Sequence, residues 1–147
     1  MCLAVHKTCE CGTHNIQFHM RDNVLPAEAV TRLFCPSCKG DESYDAATMV
    51  TDNGWYIEYD LDLAKAFIAR RNLIDPEDVT PAYVFDEGFA CWLEMYPGEK
   101  EDIKDEKEKI VELLKQDRKQ YLQEIQNWNV NRIERLKADG WRKAQFA

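Results

Sequence analysis

Cys9-Glu10-Cys11-Gly12 and Cys35-Pro36-Ser37-Cys38 decide how this sequence is read. They form C-x-C, an interval of 23 residues, and C-x-x-C. Cysteines one or two residues apart suit a shared metal ion better than a structural bridge, because the chain must reverse tightly and aim both sulfurs at one point. The backbone N–H groups of such a turn then point at the thiolates. Gly12 suits the positive φ needed just past the second ligand. Pro36 presets the second turn and removes a donor, and Gly40 follows closely.

Cys9, Cys11, Cys35 and Cys38 are therefore the expected metal ligands. Four thiolates match tetrahedral Zn²⁺, with Zn–S near ~2.3 Å. They close the coordination sphere and leave no position for water, so the expected role is structural. Such a site contributes on the order of 10 kcal/mol or more to folding. His6 and His14 flank the first pair, and either is an alternative donor in place of one cysteine. His19 falls on the strand face opposite Ile16 and Phe18 and reads as a surface residue.

Outward from the cysteines the pattern is β. Asn15 to Met20 alternates apolar and polar residues, with Ile16, Phe18 and Met20 on one face, as in a half-buried strand. Asp22-Asn23 reads as a turn. Ala27 to Ala29 favours a short helix, and Val30 to Phe34 a strand that delivers the second cysteine turn. Ala47–Val50 and Trp55–Tyr59 flank Thr51-Asp52-Asn53-Gly54, and Asn-Gly between β-prone runs is a strong hairpin signal.

Two cysteine turns, strands between and after them, and a closing hairpin resemble the zinc-ribbon fold group over about residues 1–60. Cys9, Cys11, Gly12, Cys35, Pro36, Cys38 and Gly40 carry the resemblance. The first pair departs from the group's usual C-x-x-C. The second turn is also similar to the Cys-Pro-x-Cys of rubredoxins, so iron is the alternative metal. The C-x-C pair and the lack of a Gly directly after Cys38 count against iron.

The rest reads as helical. Asp60 or Asp62 caps a helix to about Asn72, with Leu61, Ala64 and Ile68 on one face and Leu63 and Phe67 beside them. Asp75-Pro76 starts a short turn and Thr80-Pro81 a longer helix. Along that helix Phe85, Phe89, Trp92 and Tyr96 form an aromatic stripe, expected to be core, until Pro97-Gly98 ends it. Cys91 reads as a small buried hydrophobe. Between Glu99 and about Ala138 there is neither Pro nor Gly. The expectation is one long helix, buried from Ile110 onward against its own domain or a second copy. Trp141 and Phe146 are expected to dock on the body or on a partner.

The fold class expected is therefore α+β, with a zinc-ribbon-like module over 1–59 and a helical region over 60–147. The 147 residues carry 45% hydrophobic and 31% charged side chains, as in a folded, soluble protein. No apolar run approaches the ~20 residues of a membrane span. The start has neither charged leader nor apolar core of a signal peptide, so a cytoplasmic, reducing location is expected.

The net charge of −8 is uneven. Residues 41–98 hold thirteen acidic and three basic side chains, and residues 118–147 seven basic and three acidic. An acidic middle repels phosphate, so nucleic acid, reachable only through the basic tail, is not the favoured partner. There is no Gly-rich phosphate loop, His-Glu-x-x-His or nucleophile elbow, and no catalytic residue is assigned. The sequence therefore points to a non-enzymatic, zinc-stabilised interaction or adaptor protein. Its expected partner is another protein, or a second copy, met through the long helix and aromatic tail. The alternatives are a one-electron Fe(Cys)₄ carrier and a nucleic-acid-binding ribbon.

Overall fold

The computed structural model describes residues 3–38, 43–72 and 74–146. Cys2 and Gly40 lie outside them. The chain is α+β: antiparallel sheets come first and helices follow, the last of them long. Contacts divide it into two compact units, Met1–Leu93 and Glu94–Ala147.

The first unit holds two three-stranded antiparallel sheets among the described residues. β1 (Leu3–Thr8) pairs with β2 (Asn15–Met20) along its whole length, from Leu3↔Met20 to Thr8↔Asn15. β3 (Val30–Phe34), β4 (Met49–Asp52) and β5 (Trp55–Tyr59) form the second sheet in the order β3-β5-β4. The turn between β4 and β5 is Asn53-Gly54, with φ of +47° and +94°. Two successive positive φ angles suit the right-handed twist of the flanking strands, as that dipeptide predicts. β2 buries Phe18 and Met20 while Ile16 is half-buried, as its alternation implies. A short 3₁₀ turn at Ala27–Ala29 leads into β3, so that ambiguous stretch contains both elements expected of it.

Helix α1 (Leu61–Asn72) starts where Asp60 Oδ1 accepts the Leu63 N–H at 3.1 Å. It buries Ala64 and Ile68 and leaves Phe67, beside that face, 46% exposed. Helix α2 (Pro81–Asp86) is capped by Thr80, whose Oγ1 accepts the Tyr83 N–H at 3.1 Å. It does not continue to Tyr96. Gly88 adopts φ +81°, and its N–H bonds the Phe85 carbonyl at 3.0 Å, which turns the chain out of the helix. Cys91–Trp92 then forms β6 and pairs with β2 through Phe18↔Trp92 and His19↔Cys91. The stripe is core without being one helix face.

Trp92 centres that core, with Phe18, Trp55 and Phe85 ring centroids 5.3, 5.6 and 5.8 Å away. Its indole N–H donates to the buried Asp52 Oδ2 at 2.7 Å. Such a polar group is tolerated inside only when hydrogen-bonded. Tyr59 likewise donates its hydroxyl to the Ala90 carbonyl at 2.6 Å.

The second unit contains α3 (Glu99–Glu112) and α4 (Arg118–Asp139) in place of one continuous helix. Leu113–Lys115 tightens into a 3₁₀ turn, and Asp117 leaves helical geometry. Its Oδ1 then accepts the Lys119 and Gln120 N–H groups at 3.1 and 3.2 Å, capping α4. The two helices run back along each other. Trp128 donates to Glu106 at 3.0 Å, Arg135 faces Glu106 at 3.8 Å, and Arg132 pairs with Glu99. Gly140, at φ +94°, ends α4 with its N–H on the Leu136 carbonyl. Trp141 is buried and stacks on Tyr96 at 5.2 Å, whereas Phe146 is 71% exposed. The stripe expected to be buried from Ile110 onward is mostly half-buried, and only Leu136 of α4 is fully so. No helix of the described residues is long and apolar enough to cross a membrane.

Candidate metal centre

The first cysteine turn closes the β1–β2 hairpin. Cys9 N–H donates to the His14 carbonyl at 3.0 Å, and Gly12 N–H to the Cys9 carbonyl at 2.8 Å. Gly12 sits at φ +74°, the left-handed geometry that suits glycine. The same loop turns the His14 N–H onto Cys9 Sγ at 3.3 Å, an orientation that stabilises a thiolate. Glu10 N–H reaches across to the Leu33 carbonyl at 2.8 Å. That bond ties the first turn to β3, whose end delivers Cys35.

The second turn makes its own exchange of donors. Cys38 N–H lies 3.3 Å from Cys35 Sγ, and Cys35 N–H 3.1 Å from Cys38 Sγ. Pro36 packs under the β4–β5 turn, where a Cβ added to Gly54 would stand 3.3 Å from its Cγ. The hairpin thus sets the position of the second turn as well as closing its sheet.

Together the turns bring sulfurs from distant parts of the chain into one cluster. Cys9 and Cys11 Sγ are 3.1 Å apart, Cys11 and Cys35 3.7 Å, and Cys35 and Cys38 3.4 Å. Two thiolates bound tetrahedrally at ~2.3 Å from one Zn²⁺ stand about 3.8 Å apart. The Cys11–Cys35 separation matches that value and the other two are shorter, so the sulfurs lie close enough to share one ion. The donor atoms of Cys9, Cys11, His14 and Cys35 all lie within 4.8 Å of one another, and Cys38 joins through Cys35. The described cysteines are free thiols. This is a Cys/His cluster able to hold a metal ion, consistent with a zinc-binding module.

The thiols differ in their surroundings. Cys11 is exposed and is pulled down to about 5, first by the Thr13 hydroxyl 3.3 Å away and then by Cys9. Burial pushes Cys35 up to about 11. A bound cation overrides this difference, because coordinating thiols are deprotonated outright.

Of the flanking histidines, His14 enters the cluster, with Nδ1 3.7 Å from Cys9 Sγ. His6 lies in β1 opposite Gln17, and His19 in β2 opposite Ala4 and Cys91. Cys91 is buried as expected, against the Trp92 carbonyl. Two neighbours were not apparent from the motif. Thr13 is one, and Trp55 is the other, its ring edge-on to His14 at 5.5 Å between centroids. Thr13 has no spacing signal of its own, and Trp55 arrives from a hairpin forty residues away. No family model, curated protein or solved structure matches the chain.

Proposed function

We propose that the cluster is a structural zinc centre held by Cys9, Cys11, Cys35 and Cys38, in a zinc-ribbon-like module. The module serves a non-enzymatic protein–protein interaction or adaptor protein. The observation that carries this reading is the convergence of thiols from two separate turns at spacings suited to one tetrahedral ion. Zinc is preferred to iron because a closed thiolate site with no redox demand suits an ion of fixed charge, and because the first pair departs from the rubredoxin pattern. The zinc would cross-link β1–β2 to β3 and so complete the link that Glu10 makes with Leu33.

The interaction role draws on the helical unit. Leu114, Leu122, Val130 and Phe146 are 46, 57, 58 and 71% exposed, apolar side chains available to a protein partner or a second copy. The test is chelator titration followed by circular dichroism and tryptophan fluorescence, with sedimentation velocity of the wild type and of Leu122→Glu/Val130→Glu. The reading expects loss of the sheets on chelation, recovery on adding zinc, and association lost in the double variant. Sheets that persist unchanged without metal would count against the structural role. A wild type that sediments as a monomer would exclude self-association.

A further inference from the structure

The cluster offers five donors to an ion that takes four. The geometry points to His14 as a reserve ligand for the same ion, able to take the place of Cys38. This inference rests on the zinc reading above and adds to it which ligand is exchangeable.

A thiolate and an imidazole nitrogen on one tetrahedral Zn²⁺, at ~2.3 and ~2.05 Å, stand about 3.5 Å apart. Cys9 Sγ and His14 Nδ1 are 3.7 Å apart, close to that value. His14 Nδ1 also lies within 4.8 Å of the Cys11 and Cys35 sulfurs, so the four atoms form a complete donor set without Cys38. His14 is held there from both sides. Its N–H bonds Cys9 Sγ, its carbonyl accepts the Cys9 N–H, and its ring meets the edge of Trp55.

Cys38 is tied to the cluster through Cys35 alone among the described contacts. Its sulfur approaches Cys35 Sγ and accepts the Cys35 N–H, and its own N–H bonds Cys35 Sγ. Cys9 and Cys35 are buried, Cys38 is half-buried, and Cys11 is exposed but bridges Cys9 and Cys35. Exchange of Cys38 Sγ for His14 Nδ1 breaks one metal–sulfur bond and forms one metal–nitrogen bond, with no change of oxidation state. It turns an S₄ centre into S₃N and raises the net charge of the centre by one. The protein can thus release the Cys38 thiolate while keeping its ion.

The test uses the full chain and Co²⁺, whose d–d bands move to shorter wavelength when imidazole replaces thiolate. Wild type and His14→Ala should bind one Co²⁺ with the same S₄ spectrum. Cys38→Ser should still bind one, with bands shifted to shorter wavelength. Cys38→Ser/His14→Ala should bind on the order of a hundredfold more weakly than Cys38→Ser, the loss expected for one ligand of four.

Equal affinity and spectrum for Cys38→Ser and the double variant would overturn the inference, since water would then fill the fourth position. So would a Cys38→Ser chain that neither binds Co²⁺ nor folds when Co²⁺ is supplied during refolding. ¹¹³Cd resonance of the Cd²⁺-loaded single variant gives a second readout, with an upfield shift expected for S₃N. Failure of the underlying zinc reading looks different: the wild type itself would bind no Co²⁺, or Cys9→Ser and Cys35→Ser would bind it as tightly as the wild type.

Discussion

Gly54→Ala tests the link between the β4–β5 hairpin and the metal centre. Gly54 sits at φ +94°, and the left-handed region costs a residue with a Cβ about 1–2 kcal/mol. The new methyl would also stand 3.3 Å from Pro36 Cγ, so Pro36 must yield by a few tenths of an ångström. Pro36 lies between Cys35 and Cys38, which transmits that shift to the second cysteine turn. Together the two effects predict a loss of about 2 kcal/mol, or roughly 6 °C in Tm for a chain of 147 residues. Urea denaturation of the zinc-loaded protein, read by tryptophan fluorescence, measures the loss. Repeating it in Pro36→Ala and the double variant separates the terms. The contact vanishes without the proline ring and the dihedral cost stays, so the two substitutions should couple. A Gly54→Ala protein within about 0.3 kcal/mol of wild type, or strict additivity with Pro36→Ala, would refute the reasoning.

Other expectations concern the thiols, a surface pair and a helix start. In metal-free protein, pH 7 lies above the Cys11 value of about 5, so Cys11 is a thiolate, whereas Cys35, pushed up to about 11, remains a buried thiol. Iodoacetamide should therefore label Cys11 first, its rate falling only as pH drops through about 5, and zinc should protect it; mass spectrometry reads the order. Glu58 is held below the usual carboxylate range, first by hydrogen bonds from Arg32, whose guanidinium nitrogen lies 2.6 Å away. Its contribution is present above the ordinary carboxylate value and is lost as pH falls through the lowered one. Arg32 is 44% exposed, so Arg32→Gln should cost no more than about 0.5–1 kcal/mol at neutral pH and flatten the acid limb of the stability profile. Asp117→Ala removes the acceptor for two N–H groups at the start of α4 and should cost about 1 kcal/mol, with Asp117→Asn retaining most of it; thermal melts followed at 222 nm decide.

The parts of this fold legible in the sequence are those set by near neighbours. Asn53-Gly54 can adopt its paired positive φ angles almost regardless of context, so the hairpin was readable. The cysteine turns were readable because their spacing is itself the geometry. The Phe18/Met20 face of β2 follows from simple alternation. What escaped depends on distant partners. Leu3–Thr8 has no clean alternation, and it becomes a strand through its ladder with β2. Cys91–Trp92 is a strand only because β2 presents a free edge, and Trp92 then finds Asp52.

The helical misreadings have local causes that periodicity hid. Gly88 lies inside the stretch that the aromatic spacing makes one helix, yet its positive φ ends that helix. Asp117 lies inside the Pro- and Gly-free run that reads as one long helix, yet it caps a second helix. Once the chain turns there, Trp128 and Arg132 can meet Glu106 and Glu99. At the site, the cysteine spacing defined where a metal belongs. It did not separate His14 from His6, because that choice depends on His6 lying within the β1–β2 ladder and His14 in the turn that folds back onto Cys9.

The most direct measurement is the metal content of protein purified without oxygen, with a visible spectrum and X-ray absorption at the metal edge. The account predicts one zinc per chain, no colour, and a shell dominated by sulfur at about 2.3 Å. One iron with thiolate charge-transfer bands, or a folded chain that holds no metal, would contradict it.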